Sequence, residues 1–119
     1  AYGIPSVALR FFNIYGPRQA LSNPYTGVAA IFSARLLNGE PPLIFEDGDQ
    51  QRDFVSVHDI VRGLLLAAER DAALGLALNL GSGVPTSVRQ VATTLASVLG
   101  VDVEAVFNGR YRVGDIRHC

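Results

Sequence analysis

The chain has 119 residues, enough for one small domain that buries about two-thirds of its surface without staples, and a net charge of -1 with acids and bases interspersed. That balance leaves no basic patch for nucleic acid or for an anionic membrane. The one cysteine, Cys119, cannot form an internal disulfide, and no apolar run approaches the roughly 20 residues a bilayer demands, so a reducing, cytoplasmic setting is expected.

Gly3 and Pro5 break regular structure, and Ser6 to Leu9 then forms a short apolar run without alternation, the pattern of a strand buried on both faces of a parallel sheet. Gly16-Pro17 forces a turn after it. Phe11, Phe12 and Asn13 therefore lie at the carboxyl end of a strand, where open α/β sheets form their binding crevice. Ala20 to Tyr25 reads as an exposed loop. A helix is expected from about Thr26, whose hydroxyl would cap it, with Val28, Ile31, Phe32 and Leu36 on its apolar face and Asn38-Gly39 at its end.

Pro41-Pro42 opens an extended segment, Leu43 to Phe45, followed by the acidic turn Glu46-Asp47-Gly48-Asp49, whose glycine supplies a positive φ. The glycine stands too early for a calcium loop, so a solvated turn is expected. Phe54 to Val57 reads as a strand, and Asp59 as the cap of a helix from Ile60 to about Arg70 that carries Leu64, Leu65, Ala67 and Ala68 into a core. Leu76 to Leu80 is a further short strand. Ser87 and Gln90 form a capping box ahead of a helix that presents Val88, Val91, Ala92, Leu95 and Leu99 and stops at Gly100. Val101, Val103 and Phe107 make the last expected strand.

Gly81-Ser82-Gly83-Val84-Pro85-Thr86 follows a strand and precedes a helix, as a dinucleotide fingerprint would. Thr86 is too large for the third small position and Pro85 lacks an N–H, which favours a tight turn feeding a capped helix. Arg52 stands directly before a strand, and its guanidinium fork suits phosphate oxygens; the plain alternative is a surface pair with Asp49 or Asp53. His58 reads as structural, and His118-Cys119 lack a second pair at metal-site spacing, so no metal is assigned.

Five segments in register carry a resemblance. Arg10-Phe11-Phe12-Asn13-Ile14-Tyr15-Gly16-Pro17-Arg18-Gln19, Leu43-Ile44-Phe45 with Gly48, Arg52 to Asp59, Asn79-Leu80-Gly81-Ser82-Gly83 with Ser87, and Tyr111 to His118 together resemble the extended short-chain dehydrogenases/reductases, the NAD-dependent nucleotide-sugar epimerases and dehydratases. The resemblance implies an α/β chain: residues 1–19 end a Rossmann-type parallel sheet, and residues 20–119 form a small α/β domain that binds a nucleotide sugar. It implies that Arg52, Asn13 and Arg112 meet phosphate and that Asp115 reaches the ribose. Leu43, Ile44 and Phe45 would hold the nucleobase, unless they are plain core strand, and Val28 would add a substrate contact. Phe11 and Phe12 would border the nicotinamide of NAD, with Phe11 standing where some members carry a hydroxyl.

All ten basic residues are arginine, so the tyrosine–lysine pair that the family uses for catalysis cannot be complete here, and this chain is expected to hold no catalytic residue. The absence of methionine, the abrupt opening at Ala1 and a hydrophobic content of 49% suit the carboxy-terminal portion of a longer enzyme, for which the resemblance implies a homodimer. An epimerase is the leading expectation. A 4,6-dehydratase, reductase or decarboxylase of the family, or a non-catalytic nucleotide-binding module, are the alternatives.

Overall fold

Strand β4, Gln51–Ser56, is the element on which the others converge in the computed structural model, which describes residues 3–20, 27–111, 114 and 116–119. Its two halves are paired differently. Phe54, Val55 and Ser56 run parallel to Asn13, Ile14 and Tyr15 of β2 (Asn13–Tyr15), while Gln51, Arg52 and Asp53 run antiparallel to Ser87, Thr86 and Pro85 of β6 (Pro85–Ser87). This double pairing explains why β4 starts three residues before the apolar run at Phe54: polar residues are held by backbone ladders that side-chain pattern does not register.

Two smaller parallel pairs accompany this sheet. β1 (Ala8–Phe11) lies beside β5 (Ala77–Leu80), and β3 (Leu43–Ile44) beside β7 (Val106–Phe107). The strand expected at Ser6 to Leu9 thus begins two residues later, because β5 offers its first partner at Ala77, with the Ala8 N–H donating to the Leu76 carbonyl. It is also not buried on both faces: Ala8, Arg10 and Phe11 are exposed. Val101 and Val103 likewise fall outside β7. Pro41 and Pro42 precede β3 and have no N–H to offer, so the ladder is confined to Val106 and Phe107.

The core lies between α1 (Val28–Leu37), α3 (Val88–Leu99) and β3. Phe32, Ile44 and Ala92 are its buried centre, with Val28, Val88, Val91, Leu95 and Ala105 packed around it. Ser87 and Gln90 form the expected capping box, and Gly100 ends α3 at φ 66°. The cap of α1 is Gly27; Thr26 lies outside the described residues, and Ile31, expected in the core, is exposed.

Helix α2 (Val57–Glu69) begins earlier than expected. Ser56, still extended at the end of β4, accepts the His58 N–H at 3.3 Å, so strand passes to helix with no loop, and Asp59 falls in the first turn beside the positive helix end instead of capping it. Only Ile60 of this helix is buried. Leu64 and Leu65 are 42% and 59% exposed, against the expectation that they enter a core, because α2 rests on β2, β4 and a short 3-10 turn at Asp71–Ala73, and nothing in the described chain covers the rest of its apolar face. The Cα radius of gyration, 17.1 Å, exceeds the roughly 13.5 Å of a compact domain this long. Among the described residues no helix is long and apolar enough to cross a membrane.

Candidate functional site

Of the candidate site residues, Arg52 lies near the start of β4 and Asn13 at the start of its parallel neighbour β2. In the β2–β4 register Asn13 stands opposite Phe54, and Arg52 lies two positions earlier on β4, so the period of two places Asn13 and Arg52 on one face. Thr86, the partner of Arg52 on β6, shares that face. Farther along, Tyr15, Phe54, Thr86 and residues of α1 and α3 line a groove of about 350 Å³.

The Arg52 guanidinium reaches two backbone carbonyls among the described residues. Its Nη1 donates to the carbonyl of Gln51 at 2.7 Å and to that of Arg117 at 3.1 Å. Asp49 pairs with Arg89, and Asp53 turns to the β5–β6 connection. There the Asp53 carboxylate accepts the Ser82 N–H at 2.8 Å, the Ser82 hydroxyl at 2.6 Å and the Gly83 N–H at 2.9 Å. Burial pushes the Asp53 carboxyl up, but these donors, the Ser82 hydroxyl foremost, outweigh it and hold the group below the usual carboxylate range.

Alternation divides the nucleobase candidates. Ile44 is 1% exposed and belongs to the core, whereas Leu43 and Phe45 stand on the opposite face at 39% and 41% exposure. The two readings of this strand therefore apply to different residues. The carbonyl of Phe45 accepts the side-chain N–H of Gln50 at 3.0 Å; Gln50 is itself buried. Val28 packs half-buried against the core centre. Phe11 is 45% exposed at the end of β1, and Phe12 is half-buried beside Gly81. Arg112 and Asp115 lie outside the described residues.

The acidic turn is not simply solvated. Gly48, at φ 79°, lets the chain reverse against Ile44, Phe107 and Arg89, where a Cβ would come within 3.0 to 3.3 Å of side-chain atoms. Arg89, at the start of α3, grips the turn through the Asp47 carbonyl and the Asp49 carboxylate and lies 4.6 Å from the centre of the Phe107 ring. Arg117 reaches it from the other side, donating to Glu46 at 3.0 Å and to Asp47 at 2.6 Å. The hydrogen bond from Arg117, joined by the Asp49 N–H, brings Asp47 down to about 2 from its ordinary 3.8. Arg117 in turn is raised above its ordinary value, first by the hydrogen bond to Asp47.

Pattern reasoning missed Asp53 and Arg117 as organising residues. Their partners are 29 and about 70 positions away in sequence, and no local spacing signals a contact at that range. Among the described residues no group of histidine, cysteine, aspartate and glutamate could hold a metal ion.

The sequence profile of the NAD dependent epimerase/dehydratase family matches residues 1–81. The chain belongs to this family. Its α/β architecture with parallel strands agrees with that of solved members. The dTDP-L-rhamnose 4-epimerase of Burkholderia thailandensis is 37% identical over 115 residues, 97% of this chain and 31% of that protein. The UDP-glucose 4-epimerase of Mycolicibacterium smegmatis is 42% identical over 107 residues, 88% of this chain and 33% of that protein. The structure of UDP-N-acetylglucosamine 4-epimerase from Methanobrevibacter ruminantium in complex with UDP-N-acetylmuramic acid superposes with a TM-score of 0.92 at 37% identity, over 99% of this chain and 37% of that one. The chain thus spans about a third of the length of the epimerase/dehydratase relatives it matches.

The family is NAD-dependent, and the Gly81–Gly83 turn was the place in this sequence that could have received a dinucleotide. It does not fit one. The Ser82 and Gly83 N–H groups that would face a pyrophosphate already face the Asp53 carboxylate, and two anions cannot share them. In this epimerase/dehydratase chain the turn is a structural joint between β4 and the β5–β6 connection.

Proposed function

We propose that the chain is the nucleotide-sugar-binding part of an NAD-dependent nucleotide-sugar 4-epimerase, an isomerase. The observation that carries this reading is that one residue, Arg117, joins the two expected binding elements: its carbonyl accepts from Arg52, and its guanidinium binds Glu46 and Asp47, which directly follow the exposed Phe45. Arg52 supplies a fork for the diphosphate, and Asn13, on the same sheet face, adds a phosphate contact. Leu43 and Phe45 offer an apolar surface to the base, with Ile44 behind them and Val28 packed on the same core. Arg112 takes phosphate and Asp115 the ribose. Phe11 and Phe12 border the nicotinamide, while the pyrophosphate of NAD and the catalytic tyrosine–lysine pair belong to residues outside this chain.

All of these contacts are remote from the reacting carbon. Their chemical value is positional: they hold the sugar by its nucleotide, so that binding energy fixes the orientation in which the carbinol centre reacts. Residues 1–19 end the dinucleotide-binding sheet and residues 20–119 form the substrate domain of a cytoplasmic homodimer. The chain by itself is inactive.

The test is direct. The complete protein should bind UDP in a calorimeter and interconvert UDP-glucose and UDP-galactose or a related epimeric pair, whereas residues 1–119 alone should not. Nucleotide-sugar turnover by the isolated chain, or failure of the complete protein to bind any nucleoside diphosphate, would overturn the reading.

A further inference from the structure

Arg89 and Arg117 approach the acidic turn from opposite sides, but they do different things to it. Arg89 satisfies the turn itself: its guanidinium meets the Asp47 carbonyl and Asp49, and its own N–H donates to the Gly48 carbonyl at 2.9 Å. Arg117 brings a separate piece of chain with it. The Gln51 N–H donates to the Arg117 carbonyl at 2.9 Å, the Cys119 N–H donates to the Gln51 carbonyl at 3.1 Å, and Gln51 and His118 form a parallel bridge. Residues 117–119 are therefore laid along the first residue of β4 through a single isolated bridge, and the carbonyl that receives the Gln51 N–H also receives Arg52.

We propose that Arg117 is a positioning residue whose guanidinium, seated across Glu46 and Asp47, holds this segment on the acidic turn so that its carbonyl sets the direction of Arg52 toward a substrate diphosphate. The proposal rests on the phosphate role of Arg52 given above. An exposed ion pair alone would carry little weight. Here, however, a planar fork spans two neighbouring carboxylates, a geometry lysine cannot copy, and Glu46 itself sits at φ 53°, a left-handed conformation that a non-glycine residue seldom adopts. Since Arg89 already grips the turn, what Arg117 adds is the seating of the carboxy-terminal segment.

The experiment is a double-mutant cycle in the complete protein, with UDP as the calorimetric probe and Arg117→Gln, Arg52→Ala and the double variant as the arms. Arg117→Gln should weaken UDP binding about tenfold, within the range expected for residues that share one network, and should change it about twofold or less once Arg52 is alanine. Arg117→Lys should recover part of the loss. Without nucleotide, hydrogen exchange at the Gln51 and Cys119 amides should quicken in Arg117→Gln and leave the α3 amides unchanged. If Arg117→Gln folds poorly, Asp47→Asn, which removes one seat of the guanidinium, should show the same coupling more weakly. Equal losses from Arg117→Gln in both backgrounds would overturn the proposal, because Arg117 would then act independently of Arg52. Undiminished UDP affinity in Arg117→Gln, with Arg52→Ala impaired, would also overturn it while leaving the phosphate role intact. Undiminished affinity in Arg52→Ala would instead remove the phosphate role itself, and this proposal with it.

Discussion

The carboxylate of Asp53 closes over Ser82, taking both its backbone N–H and its hydroxyl, at 2.8 and 2.6 Å. An acidic residue one position beyond Arg52 is thereby committed to structure, while Arg52 itself donates to the carbonyl groups of Gln51 and Arg117. Neighbouring residues of opposite charge on one strand face opposite sides of the sheet, and here the two sides have different tasks.

Removing that carboxylate should loosen the β5–β6 connection. Asp53→Ala is expected to cost about 1.5–3 kcal/mol in chemical denaturation, the scale for hydrogen bonds to a charged group. Gly81→Ala should act through the same contact, since a Cβ there would collide with Asp53 Oδ2 and lie 2.8 Å from the Phe12 ring. Because Asp53 is held below its ordinary range when folded, its contribution is present above that range and lost as the pH falls. An Asp53→Ala variant as stable as the parent at neutral pH would refute this.

Asp47 gives a sharper pH signature. Its carboxyl lies at about 2 in the folded chain and near 3.8 when unfolded. The unfolded state therefore binds more protons between these values, and the contact's contribution is whole above about pH 4 and disappears as the pH falls through about 2. A carbon-detected titration should find the Asp47 midpoint near 2, returning toward the ordinary value in Arg117→Gln. A midpoint unaffected by that substitution would show that Arg117 is not the cause.

Arg52→Ala in the complete protein should weaken binding of UDP or of a UDP-sugar by about 2–5 kcal/mol, the scale for truncating one partner of a desolvated charge pair. Arg52→Lys should recover only part of this, because the charge survives and the fork does not. Calorimetry showing equal affinities would return Arg52 to a purely structural role.

In the chain taken alone, β1 has one described neighbour, β5, and most of its side chains are exposed, whereas α3 is capped at both ends and packs on α1. Amides from Val7 to Phe12 should therefore exchange much faster than those from Val91 to Leu99 in a monomeric sample. Equal, strong protection of both would show that the β1–β5 pair needs no further partner.

Local chemistry was legible in the sequence wherever a few neighbouring residues decide the outcome. The Ser87–Gln90 box, the stop at Gly100, the turn at Gly48 and the placing of Phe11 at a strand end all follow from backbone donors, φ preferences and apolar spacing within a few positions, whereas Asn13, expected at that same end, instead opens β2 because β4 lies beside it. The five segments in register likewise conveyed the family. Pairing and burial were another matter, because they depend on what lies across space. β4 extends back to Gln51 because β6 lies beside it; Leu64 and Leu65 stay exposed because nothing in the described chain covers α2; Ile44 and Phe45 part company because β3 is covered on one face. The same reason hid Asp53 and Arg117. A carboxylate finds amides 29 residues away, and a guanidinium finds two carboxylates about 70 residues away, only once the chain has folded, so tertiary structure alone decided these contacts.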